Sequence, residues 1–460
     1  MSLTVFNSYS GVREVFLPND PKRVTVYACG PTVYNNAHIG NARPAVVFDV
    51  LVRLLRHLYG SKHVIYARNI TDVDDKINAA AQKEGVPISI ITERYTKIYH
   101  RDVEALGVLP PDLEPRATDH IEEMKLMIER LIAKGHAYAR DGHVLFDVPS
   151  YSEYGALSKC NQDEIVAGAR VEVAPYKKNP SDFVLWKPSV DGQAGWDSIW
   201  GFGRPGWHLE CSAMIESHLG ETIDIHAGGR DLLFPHHENE IAQSVCAHDG
   251  KTFARYWMHN GFVNIDHEKM SKSSGNVTLV SDLLDEAPGE AIRYALLSAH
   301  YRQPLGWSSA SLVLARRNLD RIYEALRLLK DVHLEVPPMP APSVIAALED
   351  DLNTPKAMVE MAALVRLANT AQDENARREA KSSLIGSGAL LGILEHDPVK
   401  WFAQGLEVDP NEIDELIEAR NAARKAKDYE KADQIRNDLN ERGVVIEDNN
   451  LGTTWRLAKK

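Results

Sequence analysis

Cysteine is scarce in this sequence. Only four occur among 460 residues, and they are widely spaced without a paired pattern: Cys29, Cys160, Cys211 and Cys246. Such usage argues against a disulfide framework and predicts a reducing compartment, the cytoplasm. A basic segment followed by an apolar one is missing at the start, so no secretory signal is expected. The longest nearly uncharged apolar stretch, about residues 384–394, is shorter than the roughly 20 residues that cross a bilayer, so no membrane contact is predicted.

Positive charge is also in short supply. Lys and Arg together number 52 against 65 for Asp and Glu, which gives a net charge of −13. This balance argues against nucleic-acid binding through bulk charge, although a local basic groove can still hold a polyanion. The hydrophobic content of 44% and the charged content of 25% are typical of globular proteins and exclude a wholly disordered chain. At about 100 to 200 residues per domain, we expect about three structural units.

The first hundred residues alternate between strand and helix patterns. Residues 23–29 (RVTVYAC) and 63–67 predict buried strands, and residues 47–60 and 91–106 predict helices, with a loop at 68–76. This alternation predicts an α/β fold with a parallel sheet covered by helices. Ligands collect beyond the carboxyl ends of such strands, which is where Cys29 and the residues after it would lie.

The pattern becomes irregular between about residues 115 and 200, with one helix at 121–134 followed by short strands and turns, which predicts an insertion. Strand character resumes at 222–226, a turn is expected at Gly228 and Gly229, and residues 236–247 predict a helix. The catalytic domain is therefore expected to be split.

After about residue 300 the chain becomes helical. Apolar residues from Leu312 to Leu329 have the 3 and 4 spacing of a bundle helix, and Thr354-Pro355 predicts the start of another. The last 60 residues predict helices at 410–425 and 428–442, followed by strands at 444–446 and 454–457.

Two short motifs point to phosphate chemistry. The first is His38-Ile39-Gly40-Asn41, between the first strand and the first helix, where free backbone N–H groups and the helix dipole attract phosphates. Alone it is more often a structural turn. The second is the KMSKS segment at 269–273, whose Lys269 and Lys272 could neutralise a departing pyrophosphate, although a solvated basic loop is the ordinary alternative.

Together the two motifs resemble the signature pair of class I aminoacyl-tRNA synthetases. The segments CGPTVY at 29–34, NITDVDDK at 69–76, GWHLECSAM at 206–214 and FPHHENE at 234–240 further resemble cysteinyl-tRNA synthetases, and the resemblance covers essentially the whole chain. It implies a Rossmann-type parallel-sheet catalytic domain with an inserted connective domain, a helical bundle and a small α/β C-terminal module. The implied boundaries are 1–114 with 201–260 for the catalytic domain, 115–200 for the insertion, 261–310 for the KMSKS stem-contact region, 311–400 for the tRNA-binding bundle and 401–460 for the anticodon module.

The resemblance also implies one zinc ion. The implied ligands are Cys29, Cys211, His236 and Glu240, a plausible set of donors for this metal. A metalloprotease motif at His237-Glu238 is excluded because its fifth position is Ile241. A purely apolar pocket separates near-isosteres such as cysteine and serine by only about 1 to 3 kcal/mol, whereas zinc binds a soft thiolate far better than a hydroxyl. Zinc would therefore select the substrate without an editing domain.

The substrate contacts are likewise carried over from the family. For Trp207 the alternative to a role in the cysteine pocket is an aromatic side chain that only packs in the core. For His226 the alternative is a core histidine whose hydrogen bonds are satisfied. Asn41 replaces the usual second signature histidine. The implied cysteine pocket comprises Gly30, Thr32, Thr71, Trp207 and His226. The implied ATP site comprises His38, Gly40, Asn41, Gly228, Gly229, Asp231, Lys269 and Lys272, with His38, Lys269 and Lys272 as the catalytic residues.

The C-terminal segment carries the positions that the family uses to recognise the anticodon. These are Arg424, Tyr429, Asp433 and Asp448, which without the resemblance would be ordinary surface residues. The expected activity is cysteine–tRNA ligase, with L-cysteine, ATP with Mg²⁺ and tRNA(Cys) as partners, in a monomer.

Three alternatives remain open. One is a ligase that gives activated cysteine to an amino sugar, but residues 409–460 argue against it. A noncatalytic tRNA-binding paralogue should have lost the zinc ligands or the second lysine. A small-molecule nucleotidyltransferase would not need the bundle and the tail.

Overall fold

The computed structural model describes residues 2–160, 174–265, 268–269, 277–403, 410–449 and 452–457. The strands are β1 (Thr4–Asn7), β2 (Val12–Val15), β3 (Val24–Ala28), β4 (Val64–Arg68), β5 (Ala137–Arg140), β6 (His143–Phe146), β7 (Phe183–Pro188), β8 (Gly203–Pro205), β9 (Ile223–Gly229), β10 (Ala254–Asn260), β11 (Val263–Ile265), β12 (Glu268–Lys269), β13 (Leu305–Trp307), β14 (Val444–Asn449) and β15 (Gly452–Leu457).

The helices are α1 (Ile39–Tyr59), α2 (Asp75–Glu84), α3 (Ile88–Ala105), α4 (Ile121–Ala133), α5 (Trp207–Leu219), α6 (Glu238–Ala247), α7 (Val280–Glu286), α8 (Gly289–Leu296), α9 (Ser309–Leu328), α10 (Pro342–Glu349), α11 (Thr354–Thr370), α12 (Glu374–Leu391), α13 (Pro398–Ala403), α14 (Pro410–Lys425) and α15 (Tyr429–Glu441). Short 3₁₀ turns occur at Ser61–His63, Ala117–His120 and Val148–Ser150, and a π-helical turn at Leu233–His237. None of the described helices is both long and apolar enough to span a membrane.

The chain divides into two compact units. The first comprises residues 1–312 with 345–357, and the second comprises 313–344 with 358–460. A four-stranded parallel sheet in the order β10-β9-β3-β4 lies at the centre of the first unit. All five residues of β3 are buried, as expected for a central strand of a sheet covered on both faces. The α/β prediction with a parallel sheet is confirmed.

The inserted segment forms its own antiparallel sheet in the order β5-β6-β7-β8. The apolar face of α4 belongs to the same core, where Met124, Ile128 and Leu131 pack with Phe146 and Trp186. Cys246 is buried in this core too, in agreement with its interpretation as a small core residue.

The first helix begins where the signature motif predicts its N-terminus, whereas two other local predictions failed. Helix α1 starts at Ile39, and Ile39, Ala42 and Ala45 are buried ahead of the apolar stripe predicted from residue 47. Helix α2 occupies a segment without a predicted element. Asp74 caps it by accepting a hydrogen bond from the Lys76 N–H at 2.8 Å, and it ends at Gly85 in the left-handed conformation.

The second error concerns Gly228 and Gly229. They do not turn the chain, because they are the last residues of β9, paired with His259 and Asn260 of β10. A pair of glycines suggests a turn, yet here it lets the strand run close beneath other side chains: a Cβ on Gly228 would lie 2.9 Å from Cε1 of His237.

In the second unit, Trp401 is completely buried and organises the packing. Its ring stacks on Tyr323 with centroids 4.3 Å apart, the guanidinium of Arg316 lies over it, and its Nε1 donates to Asp320 at 2.8 Å. At the C-terminal end, β14 and β15 form a hairpin against α15. The observed α14 coincides with the helix predicted at 410–425.

Candidate active site

A cleft opens at the carboxyl end of the parallel sheet. Its volume is about 330 Å³. The walls come from the loop after β3, the first turns of α1, the end of β4 and the segments after β9 and β10. Of the predicted site residues, the cleft is lined by Cys29, Gly30, Thr32, His38, Gly40, Asn41, Trp207, Gly229 and Asp231.

Four buried or half-buried donor atoms converge beside this cleft. The ligand atoms of Cys29, Cys211, His236 and Glu240 all lie within 4.8 Å of one another. The two Sγ atoms are 3.6 Å apart, Nε2 of His236 is 3.7 Å from Sγ of Cys211, and it is 3.0 Å from Oε1 of Glu240. The structure thus brings together the four residues that the sequence resemblance named.

Three separate segments supply these donors. Cys29 directly follows β3, Cys211 lies in the first half of α5, and His236 and Glu240 lie one turn apart across the junction of the π-helical turn and α6. Because residues four apart share one face of a helix, the imidazole and the carboxylate point the same way.

Four further histidines lie around the cluster, and of these only His226 was predicted from the sequence, as a cysteine-pocket residue. Nδ1 of His236 is 2.9 Å from Nδ1 of His208, and Nε2 of His226 is 2.7 Å from Oε2 of Glu240. Nε2 of His237 is 3.3 Å from Sγ of Cys29, and its Nδ1 is 2.8 Å from Nε2 of His259. His226 and His237 also form a second possible donor set with Cys29 and Glu240. In the set that the resemblance implies, His208, His226 and His237 contact candidate ligands, as outer partners of metal ligands do.

The electrostatics of the cluster suit a cation. Burial raises the pKa of the Glu240 carboxyl well above its usual range, and burial together with Cys211 raises that of the Cys29 thiol. Burial and the neighbouring His208 lower the pKa of His236 well below its ordinary value. Negative charge is therefore costly here without a positive partner, and His236 is a neutral imidazole that can act as a ligand. Two thiols, one imidazole and one carboxyl at these separations fit the donor set of Zn²⁺.

The predicted cysteine-pocket residues surround the same place. A Cβ on Gly30 would lie 1.7 Å from the carbonyl oxygen of Asn69, so only glycine fits there. The ring of Trp207 stacks on His236 with centroids 4.1 Å apart and joins the cleft wall to the donor cluster. Thr71 is buried and its hydroxyl donates to Glu210 at 2.9 Å. His226 is completely buried against Glu240 and stacks on Trp257.

The start of α1 also borders the cleft. His38 is the N-cap residue, and its backbone N–H donates to Oδ1 of Asn41 at 3.2 Å. This bond fixes the first turn, whose N–H groups attract anions. After β9, Gly229 and Asp231 border the cleft, whereas Gly228 lies beneath His237.

The two lysines of the KMSKS segment are placed differently. Lys269 belongs to β12, paired with Asn264, and Lys272 lies outside the described residues.

The candidate anticodon residues belong to the second unit. Asp448 accepts from the guanidinium of Arg420 at 2.9 and 2.8 Å and from Nη1 of Arg424 at 2.7 Å. Tyr429 is 63% exposed at the start of α15, and Asp433 is exposed one turn later. The sequence did not indicate Arg420, although it lies one helical turn before Arg424.

Comparison with known proteins accounts for the whole chain. A family model described as the tRNA synthetases class I (C) catalytic domain matches residues 15–317, a DALR domain matches 343–395, and a cysteinyl-tRNA ligase anticodon binding domain matches 410–456. Cysteine–tRNA ligase from Parvibaculum lavamentivorans is 62% identical and aligns with 100% of this chain and 98% of its own length. The chain belongs to the cysteinyl-tRNA synthetase family. A second family member, cysteine–tRNA ligase from Xanthomonas campestris pv. campestris, is 58% identical with full coverage of both chains.

Solved structures of other synthetases share the fold. Mycobacterium tuberculosis methionyl-tRNA synthetase in complex with methionyl-adenylate superposes with a TM-score of 0.56 at 16% identity, covering 83% of this chain and 93% of that one. The Agrobacterium radiobacter LeuRS in a ternary complex also has a TM-score of 0.56, at 12% identity. At such low identity these likenesses support the Rossmann-type class I architecture of the cysteinyl-tRNA synthetase family and nothing finer.

Proposed function

We propose that this protein is a cysteine–tRNA ligase. It activates L-cysteine with ATP to cysteinyl-adenylate and pyrophosphate, and then transfers cysteine to the 3′-terminal adenosine of tRNA(Cys). The observation that carries the proposal is the donor cluster of Cys29, Cys211, His236 and Glu240 at the edge of a class I nucleotide cleft, in a chain that aligns end to end with cysteine–tRNA ligases.

Substrate selection is assigned to the donor cluster. Cys29, Cys211, His236 and Glu240 would hold one Zn²⁺, and that ion when bound would supply a soft Lewis acid that prefers a thiolate to a hydroxyl. The protein supplies the rest. Trp207, stacked on His236, and the open backbone at Gly30 border the cleft beside the cluster, with Thr32 nearby. Buried Thr71 and His226 would form the back of the pocket through their bonds to Glu210 and Glu240.

Activation of cysteine with ATP is assigned to the start of α1 and to the residues around the end of β9. His38, Gly40 and Asn41 at the start of α1 would bind the phosphates of ATP, with Gly229 and Asp231 beside the nucleoside and Mg²⁺ bound with ATP. The cysteine carboxylate attacks the α-phosphorus while the bond to pyrophosphate breaks, and Lys269 and Lys272 would neutralise the charge that develops on the leaving group. Catalysis here consists of positioning and charge stabilisation, without a covalent enzyme intermediate.

Transfer requires recognition of the correct tRNA. We assign anticodon contacts to Arg424, Tyr429, Asp433 and Asp448, in the segment that the anticodon family model matches. That segment also argues against transfer of cysteine to an amino sugar. The predicted domain boundaries, a cytoplasmic location and a monomeric state belong to the same proposal.

The decisive experiment is cysteine-dependent ATP–pyrophosphate exchange with serine as a competitor, run with and without a chelator. We expect exchange with cysteine and loss of exchange when the metal is removed. Serine should support exchange about ten-thousand-fold less efficiently than cysteine, which corresponds to a difference of about 5.5 kcal/mol. A fully active protein without bound metal would contradict the selection mechanism, and exchange without cysteine dependence would contradict the activity itself.

A further inference from the structure

Arg68 is a buried cation without a neutralising carboxylate. It ends β4, opposite Ala28 of β3, and only 3% of its surface is exposed. Its Nε and Nη1 atoms make no hydrogen bond within the described part of the chain, and no ion pair joins it to any described carboxylate. Buried charges are normally paired, so this arrangement calls for a partner.

Other buried arginines of the first unit show what a structural role looks like. Arg43 donates to four backbone carbonyl oxygens, those of Gly261, Phe262, His300 and Gln303. Arg293 pairs with Asp49 and donates to the carbonyl of Gly107. Arg43 has acceptors for both of its terminal nitrogens and leaves only Nε unpartnered, Arg293 has a carboxylate, and neither residue borders the cleft.

Two aromatic rings lie beside the guanidinium of Arg68, which lines the cleft. Its guanidinium carbon lies 5.9 Å from the ring centre of Tyr66 and 5.5 Å from that of Tyr99. The hydroxyl of Tyr66 is buried close by and has no partner in good hydrogen-bond geometry, but it interacts directly with the charge of Arg68. Glu114 influences the guanidinium electrostatically, but it already accepts a hydrogen bond from His100 at 2.8 Å.

Arg68 shares the cleft with the start of α1. Tyr66, Arg68 and Tyr99 line it, as do Gly40, Asn41, Pro44 and Ala45 of α1. Lys76, which also borders the cleft, holds its ammonium 5.5 Å from the ring centre of Tyr34. A group bound in the cleft would therefore meet both a helix start and two cations, which is an environment for an anion.

We propose that Arg68 binds a phosphate group of a nucleotide substrate in this cleft and is a specificity-determining residue of the reaction. The inference rests on the proposed function, which supplies two sources of that phosphate: ATP, or the phosphodiester at the 3′ end of tRNA. Because Nε and Nη1 of Arg68 are enclosed, the phosphate would meet the guanidinium through its remaining amino group, and it would supply the negative charge that the protein leaves out.

The test uses the full-length, metal-loaded protein carrying Arg68→Gln or Arg68→Lys, with Arg94→Gln as a control that removes an equal charge from an exposed pair with Glu84. ATP–pyrophosphate exchange at varied ATP and single-turnover transfer from preformed cysteinyl-adenylate to tRNA are measured separately. Because a hydrogen bond to a charged group contributes about 1.5 to 3 kcal/mol, Arg68→Gln should change the affected constant by about ten- to a hundredfold.

The two sources give different results. If ATP supplies the phosphate, Arg68→Gln raises the KM for ATP; if tRNA supplies it, exchange stays within about twofold and transfer slows. Arg68→Lys should recover part of the loss in the same step, and it serves as the test if Arg68→Gln does not fold. The inference is overturned if a folded Arg68→Gln protein runs both steps within about twofold of the parent, or if only the KM for cysteine changes. A parent protein that lacks cysteine-dependent exchange instead disproves the proposed function, before any variant is compared.

Discussion

The guanidinium of Arg420 binds both carboxylate oxygens of Asp448, with Nη1 2.9 Å from Oδ1 and Nη2 2.8 Å from Oδ2. The hydroxyl of Thr453 donates to Oδ1 at 2.7 Å, and Nη1 of Arg424 donates to Oδ2 at 2.7 Å. Arg420 is buried, whereas the side chain of Arg424 is 47% exposed. Asp448 therefore orients a guanidinium that remains available for an RNA base.

Replacing Asp448 with asparagine should weaken tRNA charging and leave activation intact. The amide cannot accept both arginines, so Arg424 loses its fixed orientation. At about 1.5 to 3 kcal/mol per charged hydrogen bond, we expect kcat/KM for tRNA to fall by about tenfold or more. Asp438→Asn, which removes an exposed carboxylate of α15 paired with Arg442, is the matched control. Loss of ATP–pyrophosphate exchange in Asp448→Asn would show that the tail assignment is wrong.

Replacing Glu240 with glutamine should empty the zinc site. A neutral amide is a poor ligand, and the bond from His226 to Oε2 is weakened at the same time. Loss of an outer partner alone typically costs about 10- to 100-fold in metal affinity, so a larger loss is expected here. Zinc per chain after dialysis, measured by mass spectrometry, checks this. Cys246→Ala, which removes a buried thiol outside the cluster, should keep its metal; if Glu240→Gln keeps it as well, the ligand set is wrong.

Replacing Asn41 with histidine should preserve or raise the rate of activation. An imidazole nitrogen can accept the N–H of His38 as Oδ1 of Asn41 does, and an imidazolium would add positive charge near the phosphates. The rate of ATP–pyrophosphate exchange at saturating cysteine is the measurement. A collapse of that rate would mean that the asparagine has a role of its own in holding the first turn of α1.

Replacing Lys272 with alanine should slow adenylate formation far more than it weakens cysteine binding. Its ammonium is expected to act on charge that develops only in the transition state, so kcat for exchange should fall by about a hundredfold or more while the KM for cysteine stays nearly constant. Steady-state exchange at varied cysteine separates the two constants. Equal losses in both would refute the transition-state role.

The regular elements could be read from local patterns. The strand at 23–29, the helix at 121–134 and the tail helices follow apolar periodicity, and the structure places them within a few residues of the prediction. Helix α2 was missed because Ile77 is the only large apolar residue in its alanine-rich sequence. The glycine pair at the end of β9 was misread because a turn and a close approach of side chains favour the same residue.

The site was less accessible to pattern reasoning than the fold. No spacing rule connects Cys29 with Cys211, and only the family resemblance joined them to His236 and Glu240. The supporting histidines His208, His237 and His259 depend on how α5, the π-helical turn and β10 pack together, which a linear pattern does not encode. Arg68 was not predicted for the same reason, because only the three-dimensional packing shows which of its nitrogens lack a hydrogen-bond acceptor.

The residues of the donor cluster begin at Cys29 and end at Glu240, with the whole insertion between them. A growing polypeptide therefore cannot complete the cluster until Glu240 has left the ribosome. If the cluster holds Zn²⁺ as proposed, any ion met earlier by Cys29 would have too few partners to be retained. Metal loading would then be a late maturation event of the catalytic unit.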